Sequence, residues 1–107
     1  MTIRIMMAAA LLVLGHGVAA ARPATCETTD EGRYACDFRP TDGKGSFRIS
    51  ARGKPTYVIE VDEPGIASVF ADFGTGRNVS LPGPYRLSKG DRACWIGDGT
   101  GARICAR

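Results

Sequence analysis

The 107-residue chain has one histidine, one tryptophan and no glutamine. Its longest apolar run, Ile5 to Leu14, is about half of the roughly 20 residues that a helix needs to cross a bilayer. Charge of one sign is also scarce, with 14 Lys and Arg against 11 Asp and Glu, a net +3. These shortages exclude a helical membrane protein and a strongly basic nucleic-acid binder. The length leaves room for one domain.

The lone histidine, His16, falls in a segment unlike the rest. Arg4 provides a positive start, Ile5 to Leu14 an apolar core, and Gly15 and Gly17 a break. Val18-Ala19-Ala20 and Ala19-Ala20-Ala21 both fit a small-x-small cleavage pattern. Residues 1–21 therefore read as a secretory signal peptide, cut after Ala20 or Ala21. A lipid anchor would need a cysteine at the cut, and Cys26 stands behind Arg22-Pro23-Ala24-Thr25. Residues 22–107 are the expected mature domain, exported to the periplasm or the medium, with no stable membrane insertion after cleavage. Arginine far outnumbers lysine and alanine is abundant, a bias that suggests a GC-rich bacterial source.

Removing the leader removes His16, all three methionines and Arg4. A domain without histidine cannot run Ser-His-Asp or Cys-His catalysis and has no histidine base, histidine metal ligand or histidine pH switch. The sequence thus reads as non-enzymatic, and it implies no cofactor and no metal.

Four cysteines remain, Cys26, Cys36, Cys94 and Cys105. An even count in a short exported chain implies disulfides. A cysteine zinc site usually has pairs two to four residues apart, unlike these spacings. Local pairing is expected. A turn centred on Glu31, in Asp30-Glu31-Gly32, sets Cys26 opposite Cys36. A loop over Asp98-Gly99-Thr100-Gly101 sets residue 97 opposite 102 and Cys94 opposite Cys105. Directly opposed strand residues lie within disulfide reach.

Turn signals recur at short intervals between segments rich in β-branched and aromatic residues, which predicts an all-β fold. We expect a small antiparallel sandwich or barrel of seven to eight short strands with two local disulfides. Phe47, Ile49 and Ala51 alternate with Ser46, Arg48 and Ser50; the first set is expected inside and the second in water. Tyr57, Ile59 and Val61 alternate in the same way. Ile66 to Phe73 is apolar on both faces, as in a central strand. The last hairpin puts Trp95 opposite Ile104 on the core face.

The chain resembles a type of small exported bacterial protein of unknown function. The resemblance rests on Tyr34-x-Cys36-x-Phe38, Gly45-Ser46-Phe47-Arg48-Ile49, Ala93-Cys94-Trp95-Ile96 and Ile104-Cys105-Ala106. It implies export, disulfides and a β fold, and no activity. A weaker resemblance is to exported inhibitors of C-type lysozyme, which are small β-barrels with cysteines. Their Ser-Gly-x-x-Tyr loop is replaced at the comparable place by Glu63-Pro64-Gly65-Ile66-Ala67-Ser68.

Candidate chemistry is sparse. Glu60, Asp62 and Glu63 form the densest acidic group; paired carboxylates can cleave glycosides or bind calcium, but Asp62-Glu63-Pro64-Gly65 also makes a natural turn. Gly97-x-Gly99-x-Gly101 lacks the helix that a phosphate loop requires and reads as the hairpin turn. Arg48 and Arg52 are candidate contacts for an anionic polysaccharide or an acidic protein face. Tyr57 and Trp95, with Tyr85, are candidates for a sugar-stacking platform. The expected function is a binding or envelope-associated module that recognises a protein or glycan of the cell envelope. The alternative is an inhibitor of a lytic enzyme or protease that inserts loop 62–66 or 74–77 into a cleft.

Overall fold

Residues 20–107 are described by the structure, a computed structural model. The expected signal peptide, residues 1–21, falls almost wholly outside the described residues. Nine strands follow in order: β1 (Arg22–Thr28), β2 (Gly32–Pro40), β3 (Phe47–Ser50), β4 (Thr56–Glu63), β5 (Ile66–Asp72), β6 (Val79–Ser80), β7 (Tyr85–Leu87), β8 (Cys94–Gly97) and β9 (Arg103–Ala106). All pairings are antiparallel, in the order β4-β3-β2-β1-β9-β8-β7-β5, and β4 pairs again with β5. The result is a closed eight-stranded barrel, one of the two expected architectures. The ninth strand, β6, pairs with the upper part of β5 while β7 pairs with its lower part. Closure removes the free strand edges that would otherwise invite aggregation.

Alternation decides which side chains enter the barrel. Phe47 and Ile49 of β3, Tyr57 and Ile59 of β4, and Ala67, Val69 and Ala71 of β5 are buried together with Trp95 and Ile104. Size is complementary across the ladder: Tyr57 pairs with Ala71, and Ile59 with Val69. A barrel of eight strands is just wide enough for side chains to fill it, and here they do. At one end of the barrel, the Arg22 guanidinium lies 4.5 Å over Phe38, which stacks on Phe47 at 4.9 Å. At the opposite end, the Tyr57 hydroxyl donates to Glu31 at 2.8 Å, and Thr28 also donates to that carboxylate.

Both expected disulfides are present, Cys26–Cys36 and Cys94–Cys105. The second hairpin has the expected register: Cys94 opposes Cys105, Trp95 opposes Ile104, and Gly97 N–H donates to the Ala102 carbonyl at 2.8 Å. The first hairpin differs. Thr28 pairs with Gly32, so the turn centres on Asp30, and Cys26 faces Tyr34 instead of Cys36. Glu31 N–H donates to the Thr28 hydroxyl at 2.8 Å, closing the turn one residue early, and Gly32 takes a left-handed φ of 74°. The bridge spans a diagonal with Cα atoms 5.9 Å apart, within reach because both cysteines point into the barrel. Ser46 is also buried, contrary to the alternation reading, because its hydroxyl accepts the Val61 N–H at 2.8 Å.

Each staple closes a loop of about ten residues and is worth roughly 2.5–3 kcal/mol on the chain-entropy account. The interior contributes through individual side chains. Ile59 is fully buried, whereas Val79 is 48% exposed. Ile59→Ala should cost about 2–5 kcal/mol, and Val79→Ala less than about 0.5 kcal/mol, both read from urea unfolding.

Candidate functional site

With the lumen filled, the chemistry available to a partner lies on the outer wall and the loops. The outward side chains of three neighbouring strands are Asp37 and Arg39 of β2, Arg48 and Ser50 of β3, and Thr56 and Val58 of β4. With Asp72, Gly76 and Asn78 they line an open groove of about 470 Å³. The registers set their neighbours: Asp37 faces Ser50, Arg39 faces Arg48, and Arg48 faces Val58. Two guanidinium side chains therefore stand directly opposite each other on adjacent strands. Like charges so placed destabilise a sheet by a few tenths of a kcal/mol to about 1 kcal/mol.

Among the described residues, neither Arg39 nor Arg48 makes an ion pair. The ion pairs found there are Arg33–Glu27 at 3.7 Å, Arg86–Asp98 at 2.8 Å and Arg107–Asp91 at 3.0 Å. Asp72, at the rim of the groove, is committed to the backbone of its own loop. One carboxylate oxygen accepts the N–H groups of Gly74 at 2.8 Å, and of Thr75 and Gly76 at 3.0 Å each. These bonds, that of Gly74 foremost, hold its carboxyl below the usual carboxylate range. The loop they shape is exposed from Phe73 onward, and Phe73 itself is 56% exposed.

The residues singled out from the sequence separate. Arg48 lies in the groove, whereas Arg52 occupies the turn between β3 and β4 and is not among the lining residues. Tyr57 is 4% exposed and Trp95 7%, both inside the barrel, and Tyr85 is buried as well, so the three present no open stacking face. Burial and the bond to Glu31 push the Tyr57 hydroxyl's pKa upward. Glu60, Asp62 and Glu63 are exposed at the end of β4, where Asp62 accepts the Ser68 hydroxyl at 2.7 Å and Pro64-Gly65 turns the chain. Gly97 to Gly101 forms the β8–β9 hairpin turn. No cluster of His, Cys, Asp or Glu able to hold a metal ion occurs among the described residues.

Arg39 was missed by sequence reasoning. The signal for it is a sum: once Pro40 is paired with Phe47, residue 39 must face residue 48. Alternation also puts Cys94 and Cys105 on the outer face with Ile96 and Arg103, as the hairpin pattern leads one to expect; what the sequence does not show is that this bridge is fully buried. Arg103 Nη2 sits 3.5 Å from each sulfur and Arg107 Nη2 3.9 Å from that of Cys94, while Asp91 holds Arg107 in a fork at 3.0–3.1 Å.

No family model matches this chain, and no curated protein or solved structure matches it either.

Two outcomes follow from the wall and its loop. Arg39→Thr removes the like-charge opposition, and Tm should rise by about 1–8 °C; a fall would show a stabilising contact for Arg39. Because the pKa of Asp72 is depressed in the folded loop, its contribution is complete above the ordinary carboxylate pKa of about 4 and is lost as pH falls through the lowered value. The protection of the Gly74, Thr75 and Gly76 amides against hydrogen exchange, measured relative to their intrinsic rates at each pH, should hold from pH 7 to about pH 4 and fall only in stronger acid, and Asp72→Asn should lower it already at pH 7.

Proposed function

We propose that the chain is an exported, non-enzymatic binding module of the cell envelope that works through the outer face of its barrel. The observation that carries this reading is the filled interior. Ile49, Ile59 and Val69 occupy the centre, aromatic stacking closes one end, and the Thr28–Glu31–Tyr57 bonds close the other. A ligand then has to be met on the wall, where the groove over β2–β4 carries two arginines without carboxylate partners. The two disulfides suit an oxidising compartment, in keeping with the leader expected at residues 1–21. No helix among the described residues is long and apolar enough to cross a membrane.

A second reading, inhibition of a lytic enzyme or protease, draws support from the loop after β5. The turn in loop 62–66 is only Pro64-Gly65, too short to reach into a cleft. Loop 74–77 is longer, pinned by three bonds to Asp72 and flanked by exposed Phe73, so it would lose little freedom on insertion.

The purified disulfide-bonded chain should co-sediment with an isolated bacterial envelope fraction at low salt and be released by added salt. Protein that stays wholly in the supernatant would overturn the module reading. Assays of C-type lysozyme and common serine proteases with micromolar protein test the second: loss of activity that Phe73→Ala restores supports it, and undiminished activity removes it.

A further inference from the structure

We propose that the groove on the outer wall of β2–β4 binds a polysaccharide that carries carboxylates, with Arg39 and Arg48 as its anion-recognising residues. The proposal rests on the binding-module reading and names its ligand class. Three observations carry it.

The first is the unrelieved pair. Arg39 and Arg48 face each other across adjacent strands, both are exposed, and no carboxylate lies within ion-pair distance of either among the described residues. Arg33, Arg86 and Arg107 each have an acidic partner and other arginines of the barrel have none, but in no other registered pair among the described residues do two arginines face each other. A guanidinium is a planar fork that matches a carboxylate in two parallel bonds. An anion between the two strands would turn their repulsion into attraction.

The second is the remaining lining. Asp37, Ser50, Thr56 and Asn78 offer acceptors and donors for hydroxyl groups beside the two cations, and half-buried Val58 gives the C–H face of a ring an apolar contact. The groove volume of about 470 Å³ lies within the roughly 300–1,000 Å³ typical of ligand pockets, room for a short stretch of sugar rings.

The third is what the groove disfavours. Asp37 and Asp72 line the groove with Arg39 and Arg48, so the lining is balanced in charge and lacks the broad basic field that holds a phosphate backbone. Recognition there falls on the two guanidinium forks and the hydroxyl partners around them, which suits a sugar chain that offers carboxylates and hydroxyls together. An acidic protein face would want an apolar anchor site at the centre, and this centre is polar.

Fluorescence anisotropy with labelled polygalacturonate oligomers tests the assignment, with dextran, polyglutamate and single-stranded DNA as competitors. The wild-type chain should bind polygalacturonate with a salt-sensitive affinity. Arg48→Ala should weaken it by about tenfold or more, the value of losing a charged hydrogen-bond partner. Arg39→Ala/Arg48→Ala should abolish it, and Arg48→Lys, which keeps charge but not the fork, should fall between. Arg92→Ala, in the β7–β8 connection, should change affinity by less than about twofold. Trp95 fluorescence confirms that each variant keeps its barrel. Absence of polygalacturonate binding, or binding indifferent to both arginines, overturns the proposal. Equal, arginine-dependent binding of polyglutamate overturns it in favour of an acidic protein surface. If envelope co-sedimentation persists while polygalacturonate fails, the ligand assignment falls and the module reading stands.

Discussion

Seven residue pairs join β4 to β5, from Thr56 with Asp72 to Glu63 with Ile66. β5 in turn holds β6 and β7 on its other edge. This strand therefore turns a ribbon that begins at β4 and runs through β9 into a closed ring. Its inward residues are Ala67, Val69 and Ala71, two of them small, and that smallness lets Tyr57 lie across the lumen. Larger side chains at those positions would compete with Tyr57 and Ile59 for the same space. The filled lumen follows from this fit, and so does the displacement of any recognition to the outer wall.

Much of this was legible in the sequence because strand alternation is a local property. Phe47 and Ile49, Tyr57 and Ile59, and Trp95 with Ile104 all sit where their period places them. The Gly-rich turns announced the hairpins, and the terminal one kept its register because its loop length alone fixes it. What escaped depended on contacts between distant residues. Ser46 is buried because Val61, on another strand, donates to it. The first hairpin turns early because Thr28 and Glu31 bond each other across it. Phe73 belongs by composition to the central strand, yet β5 ends at Asp72, whose carboxylate draws the next residues into a loop and leaves the ring outside.

The candidate site shows the same division. Arg48 could be named because it alternates outward from a clear strand. Its opposite, Arg39, could not, because the pairing of β2 with β3 depends on the length of the loop from Thr41 to Ser46. That loop is set by Asp42, whose carboxylate accepts the N–H groups of Lys44 at 2.7 Å and Ser46 at 3.2 Å. Tyr57 and Trp95 looked like a surface platform because aromatic residues suit both cores and sugar sites. Only the closed ring decides between the two, and it places them inside.

The two staples also differ in what surrounds their sulfurs. Cys26–Cys36 is walled in by the core, whereas Cys94–Cys105 lies outside it beneath the side chains of Arg103 and Arg107. Guanidinium charge at that range stabilises a departing thiolate, and a better leaving group speeds thiol exchange. Both cysteines of that bridge are fully buried, so a reductant reaches its sulfurs only when the covering side chains part, whereas Cys26–Cys36 belongs to the packed core. The two staples thus answer to different motions, one to the arginine side chains on the wall and the other to the barrel interior.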